Sequence, residues 1–540
     1  MPMNYIQNPI IPGFNPDPSI LRVGADFYIA TSTFEWFPGI QLHHSRDLVN
    51  WKLIGHGLTS TTQLPLEGVE NSGGIYAPSL TYCDGEFWLA YSIVYACRGE
   101  TWMSTPAYVV KSKDINGPWS EPYPIGSFGF DPSIFHDADG RKHVVHMIWD
   151  GRKHVNNFGG IVVQELDPAS MELVGKPKKV FSGTHLKGTE GPQVLRKDDW
   201  YYLVVAEGGT GYGHAITVAR SRSVWGPFDV HPDNPILTAY LDETSLLQRA
   251  GHGFFVETQN GEWYLSHLAT RPIYPEEYQK HYIGGRFGKG FSVLGRESNL
   301  QQIEWRDDWP YVVGGKAPQI RVAAPKLPRH TWSPSPTRVN FDSGPLPTDF
   351  QTLRAPLTSD WATFKADLGK LRIVGRHFLN SNFQQSLIAR RIQHFNIQAE
   401  TECTFLPTLP HHMAGLIVYY SSRSYYFLQI TANDDGEKQL QLVYADNGSY
   451  DEHSDVVSIN NDTIYLRVNF DGYRYQFRYS EDTKHWKRIG PALSAVPISD
   501  EGADDIFRFT GPMVGMFVSD VSGKGNTPTL GTLSTEKIDD

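Results

Sequence analysis

Cysteine is nearly absent from this chain: Cys83, Cys97 and Cys403 are the only three among 540 residues. They are too few and too scattered for a disulfide framework or a cysteine-built zinc site. Basic runs are missing as well. The net charge is −11 and no Lys/Arg block interrupts it, so nucleic acid is not an expected partner. No apolar run approaches the roughly 20 residues of a membrane span. The start, MPMNYIQNPIIPGF, lacks a cationic region followed by a long apolar run, so no secretory leader is expected. Together these absences predict a cytoplasmic protein with no membrane partner. Helical periodicity is weak throughout. The length exceeds one ordinary domain and suffices for two large ones.

Aromatic residues are plentiful, with 14 Trp and 27 Tyr. Such rings fill cores or stack on apolar sugar faces, and composition does not separate the two uses.

The order of the residues says more. DPSILRVGADFYIATST begins at Asp17, APSLTYCDGEFWLAYSI at Ala77 and DPSIFHDADGRKHVVHMIW at Asp131. GPQVLRKDDWYYLVVAEGG begins at Gly191 and HGFFVETQNGEWYLSHLAT at His252. Each has a small, acidic or polar residue, an apolar strand, a polar turn and an aromatic-rich second strand. Turn residues such as Asp84-Gly85 and Asn260-Gly261 are strong hairpin signals. The first positions lie 60, 54, 60 and 61 residues apart, a period that suits one propeller blade with long loops. The chain is therefore expected to be all-β, a five-bladed β-propeller over 1–322 followed by a β-sandwich over 323–540. A Pro-rich stretch, AAPKLPRHTWSPSPTRV, would link the two, and seven alternating segments after it read as sandwich strands.

A propeller brings equivalent positions of all its blades to one axial mouth. Asp17, Asp131 and His252 stand at such positions, and Glu190 directly precedes the fourth, Gly191. A single Asp-Pro is ordinary turn chemistry. Three carboxylates gathered at one mouth favour catalysis over strand capping or a bridging ion. Crowded like charges raise at least one carboxyl pKa, which separates an acid from a base. Hydrolysis of a glycosidic bond needs that division.

NPDPSI, GIYAPSL, FDPSIFHD, GTEGPQV, AEGGTGYGHA, AGHGFF and GRESNLQQIEW resemble glycoside hydrolase family 43, specifically its two-domain β-xylosidases, nearly end to end. The resemblance implies an inverting hydrolase that releases xylose from the non-reducing end of β-1,4-xylo-oligosaccharides, with α-L-arabinofuranosidase side activity. It implies Asp17 as general base and Glu190 as general acid, with Asp131 raising the pKa of Glu190 and orienting it. The Asp17 and Glu190 carboxyls are then expected about 6.5–9.5 Å apart, leaving room for a water. It also implies that Arg296 reaches into the pocket, that Phe34 and Trp149 form apolar walls, and that Tyr76 stands where relatives generally carry Trp. Read alone, Phe34 and Trp149 fit ordinary blade packing equally well. His252 is expected beneath the acids, either holding a calcium ion through water or acting as a cation without metal; no cofactor is otherwise required. Phe509 is expected to close the pocket from the sandwich, although Arg508 here separates two aromatics that are adjacent in relatives. A homo-oligomer, dimer or tetramer, is implied by resemblance alone. Two alternatives stay open: an α-L-arabinofuranosidase of the same family, and a non-catalytic carbohydrate-binding propeller.

Overall fold

A computed structural model describes residues 5–95, 102–240, 242–281, 290–341, 344–365, 369–505, 507–523 and 525–538. Cys97 lies outside them. The described residues are organised as β-sheets, with only two short 3-10 helices.

Five antiparallel sheets follow one another through the first part of the chain. Their leading hairpins are the five repeats. Ser19–Val23 pairs with Asp26–Thr31, and Ser79–Cys83 with Glu86–Val94. Ser133–His136 pairs with Lys142–Trp149, and Glu190–Lys197 with Trp200–Glu207. Phe255–Glu257 pairs with Trp263–Thr270. The tight turns follow residue chemistry: Asp84 and Gly85 both take positive φ, 54° and 81°, as a two-residue hairpin loop of mirror-image type requires. Between these sheets lie apolar clusters built from the inward faces of neighbouring hairpins, such as Leu80, Phe87 and Leu89 packed with Ile40 and Leu42.

Serines stitch one blade to the next. Leu80 N–H donates to Ser19 Oγ at 2.9 Å, Ser133 Oγ donates to the Pro192 carbonyl at 2.6 Å, and Ser266 Oγ donates to the Pro18 carbonyl at 2.7 Å. The last of these joins blade five to blade one. Strand Tyr5–Gln7 pairs with Arg321–Ala323, tying the start of the propeller to its end.

The second part is a sandwich of a nine-stranded and an eight-stranded sheet. All seven expected segments are strands, from Asn396–Thr404 to Met513–Asp520. Other strands gave weaker signals, among them Ser386–Arg391, Ser449–Ser458 and Thr529–Lys537. One comes from far upstream: Trp36–Phe37 leaves blade one and pairs with Phe350–Leu353 at the edge of the eight-stranded sheet. The propeller thus lends the sandwich a strand. No described helix is long and apolar enough to cross a membrane.

Candidate active site

A cavity of about 240 Å³ opens at the hub. It is lined by Asp17, Phe34, Tyr76, Asp131, Trp149, Glu190, His252 and Arg296 from the propeller, and by Phe507 and Phe509 from the sandwich. All nine site residues expected from the sequence meet there. Phe130, Phe158, Met103, Thr210 and His214 complete the lining together with Ala77 and Gly209.

The backbone explains how the acids converge. Asp17 and Asp131 both have φ of 56°, His252 has 44° and Gly191 has 58°. Four of the five equivalent blade positions therefore share the left-handed conformation. It is uncommon for residues other than Gly and tolerated by Asp, and it turns successive hub side chains the same way. A proline follows Asp17, Asp131 and Gly191 and limits local motion. The fourth blade carries its acid one residue early for a steric reason. A Cβ at position 191 would lie 2.6 Å from His252 Cε1, so the imidazole holds the space that an Asp side chain would need.

Asp17 and Asp131 are buried, Glu190 is half-buried, and the three are differently partnered. Ser32 Oγ donates to Asp17 Oδ2 at 2.6 Å, while Arg296 Nη1 and His252 Nδ1 face Asp17 Oδ1 at 3.5 and 3.8 Å. Asp131 Oδ2 accepts the Gly191 N–H at 3.0 Å, which binds Asp131 to the residue beside Glu190. Thr189, on the other side of Glu190, donates through Oγ1 to the fully buried Glu207 at 2.7 Å. Burial, reinforced by the Asp17 charge, pushes Glu190 up to about 8 despite Arg296. Burial and then the charges of Glu190 and Asp17 push Asp131 well above the usual carboxylate range, against the Gly191 N–H and Arg296. Glu190 thus keeps its proton at neutral pH.

Arg296 ties the two domains together across the cavity. Nη1 donates to Thr210 Oγ1 at 3.0 Å and Nη2 to the Phe509 carbonyl at 2.9 Å, and its guanidinium carbon lies 5.6 and 5.3 Å from the Phe34 and Phe509 ring centres. Its buried Nε has no hydrogen-bond partner. Gly295 takes φ of 77°, and a Cβ there would meet the Thr510 carbonyl at 2.9 Å, so glycine permits the close approach of the sandwich loop. Phe509 N–H donates to Ser72 Oγ at 3.1 Å. Phe507 and Phe509 pack with centroids 5.3 Å apart, and Phe509 meets Phe34 at 5.9 Å and Tyr76 at 5.8 Å. Arg508 turns aside to donate to the Ala503 carbonyl, so the interruption leaves both aromatics at the cavity.

Behind Arg296 stands Arg249, which sequence reasoning passed over. Its side chain is buried between Asp500 and Glu501 of the sandwich, at 2.9 and 2.8 Å. Nε donates to the Thr210 carbonyl at 3.0 Å, and its own carbonyl lies 3.2 Å from His214 Nδ1. The chain Asp500/Glu501–Arg249–Thr210–Arg296–Asp17 runs from the sandwich to the hub. Nothing in QRAG marks Arg249, because its partners lie about 250 residues away. Phe130 and Phe158 were more accessible: Phe130 adjoins Asp131, and Phe158 pairs with Trp149 across adjacent strands.

The residues do not fit a directly ligated calcium ion. Calcium takes six to eight oxygens. Among the described residues no three His, Cys, Asp or Glu side chains converge on a common metal position, and His252 offers nitrogen beside an acid that Arg296 already faces. Burial and the Arg296 charge push His252 below the usual imidazole range, against Asp17.

The Glycosyl hydrolases family 43 model matches residues 6–310, and the Beta xylosidase C-terminal Concanavalin A-like domain model matches residues 338–529. The chain is 56% identical over 521 residues to a xylan 1,3-beta-xylosidase of Vibrio sp, covering 96% of this chain and 97% of that one. It is 44% identical over 537 residues to a xylosidase/arabinosidase of Humicola insolens, covering 98% and 97%. A solved xylan beta-1,4-xylosidase from Bacillus halodurans superposes with a TM-score of 0.94 at 42% identity, covering 98% of this chain and 100% of that one.

Proposed function

We propose that this chain, which belongs to glycosyl hydrolase family 43, is a β-xylosidase that removes single xylose units from the non-reducing end of xylo-oligosaccharides with inversion at the anomeric carbon. One observation carries the reading. The hub gathers three carboxyls at one cavity and partners them differently, so that Glu190 is held protonated while Asp17 faces Arg296, His252 and Ser32.

In the proposed mechanism, Asp17 takes a proton from a water on the far side of the anomeric carbon as that water attacks. Glu190 gives its proton to the departing glycosidic oxygen. The C–O bond to the leaving sugar breaks as the bond to water forms, and the net proton moves from water to aglycone through two side chains. Asp131 acts through the Gly191 amide, keeping Glu190 aimed, while burial and the Asp17 charge keep Glu190 protonated. Arg296 presents its guanidinium to sugar hydroxyls, in a plane fixed by Thr210, Phe509 and the two flanking rings. The aromatic walls exclude water and stack on the apolar face of the xylose ring. Phe507 and Phe509 close one side of the cavity, which favours a chain end over a chain interior.

The relatives named for 1,3- and 1,4-linked xylan differ in the leaving side, and the one named for arabinosidase activity differs in the sugar released. Turnover of 1,4- and 1,3-linked xylobiose, beside p-nitrophenyl β-D-xyloside and α-L-arabinofuranoside, tests the reading. The expected result is preference for the β-xyloside over the arabinoside and for 1,4-xylobiose over the 1,3-isomer. A large preference for the arabinoside replaces the activity with the second reading, an α-L-arabinofuranosidase; preference for 1,3-xylobiose reassigns the linkage alone. No turnover of any of them supports a carbohydrate-binding propeller.

A further inference from the structure

A second cavity, of about 430 Å³, lies where blade one, the crossing segment and the sandwich meet. Its lining includes His43 and Lys52 of blade one, Trp332 of the crossing segment, and Asp349, Arg390 and Arg391 of the sandwich. Three fixed cations therefore face one carboxylate, in a chain whose net charge is −11. Arg390 and Arg391 are only 9% and 7% exposed. Asp349 pairs with Arg390 Nη2 and is also the acid whose charge acts on Arg391. One guanidinium in excess is thus buried without a counter-charge, a costly arrangement, and a guanidinium does not escape it by losing its proton.

Buried nitrogens there are unsatisfied too. Arg390 Nη1, Arg391 Nη2 and His43 Nδ1 have no hydrogen-bond partner, nor has Nε2 of the nearby His56, whereas buried N–H groups are normally paired. Burial first, then the Arg391 charge, holds His43 and His56 down to about 3, so both rings are neutral and add no charge of their own. Asp47 does not line the cavity; its carboxylate accepts the backbone amides of Val49, Asn50 and His330. At the exposed rim, Lys52 Nζ stands over the Trp332 ring, 5.7 Å from its centre, and that ring also packs against His44 and His330 at 5.0 and 4.3 Å while its remaining edge lines the cavity.

We propose that this junction cavity binds a small oxyanion, a phosphate or a carboxylate carried on a sugar-sized body, which pairs with Arg390, Arg391 and Lys52 while Trp332 covers its apolar face. The volume lies in the range of small-molecule sites and exceeds what a bare ion fills. The assignment stands on charge and donors at the junction and does not depend on the chemistry at the hub.

Calorimetry and thermal shift on the full chain, at constant ionic strength, test it with inorganic phosphate, D-glucuronate, and D-glucose as the neutral counterpart of glucuronate. Saturable binding of an oxyanion with a raised melting temperature is expected, and none for glucose. Phosphate binding alone assigns the source as phosphate; glucuronate binding alone assigns a sugar carboxylate. Arg390→Gln leaves Asp349 to pair with Arg391, and is expected to weaken binding at least about tenfold by removing one charge-assisted contact while xyloside turnover is unchanged. Lys52→Gln at the rim is expected to weaken binding without touching the interior, and carries the test if the first variant does not fold. Arg391 is left intact because its Nε donates to the Phe14 carbonyl, three residues before Asp17. Absence of oxyanion binding at millimolar concentration, or binding that both variants leave unchanged, overturns the proposal.

Discussion

The hub cavity and the junction cavity both crowd like charges away from water, and they relieve the crowding by different means. At the hub the crowded groups are carboxyls, which shed charge by keeping protons; Glu190 and Asp131 are both pushed upward by burial and by their acidic neighbours. At the junction the crowded groups are guanidiniums, which have no accessible neutral form. The hub turns its crowding into a proton donor without outside help. The junction is left needing a counter-charge. The same physics, applied to groups that do and do not titrate near neutrality, yields a candidate catalytic centre in one place and a candidate anion site in the other.

The largest losses are expected at the hub acids. Asp17→Asn and Glu190→Gln are each expected to lower kcat on xylobiose by about 10²–10⁴-fold, with folding intact by circular dichroism; near-normal turnover in either variant removes that residue from the proposed role. Arg249→Met should cost less, about ten- to a hundredfold in kcat/KM, because it loosens Thr210 and Arg296 without touching the sugar. Partial rescue by Arg249→Lys, which restores the charge between Asp500 and Glu501, separates this positioning role from a general loss of packing. Turnover should also depend on pH. Glu190 works only while protonated, so kcat/KM should fall as pH rises through about 8. A profile flat from acid to alkali contradicts the division of roles. The smallest effect is expected at the junction, where Arg390→Gln should leave turnover within about twofold, since Arg390 does not line the hub cavity.

The two cavities also differ in how far the sequence announced them. The hub could be read because it is repetitive: a residue that opens each hairpin is carried to the axis by the blade, so Asp17, Asp131 and His252 could be aligned on paper. The one irregularity, an acid at 190 and glycine at 191, makes physical sense only once the His252 ring is seen in the space beside Gly191. Phe509 was reached through its resemblance to a known loop, whereas Phe507 was seen but given no part, because sequence alone does not say that Arg508 turns away. Arg249 and the junction left no pattern. Their groups come from unrelated stretches, Lys52 and Arg390 or Arg249 and Asp500, and no period or motif links residues that only the packing of propeller on sandwich brings together. The strand Trp36–Phe37 was hidden for the same reason, since it belongs by sequence to blade one and by pairing to the sandwich.

The stereochemistry of the first product tests the hub assignment most directly. If Asp17 delivers water from the face opposite the bond that Glu190 protonates, proton NMR during early turnover of a β-xyloside will show α-xylose appearing first and the β-anomer growing in only by mutarotation. β-Xylose as the initial product would require attack by a carboxylate in place of water, and would contradict the account.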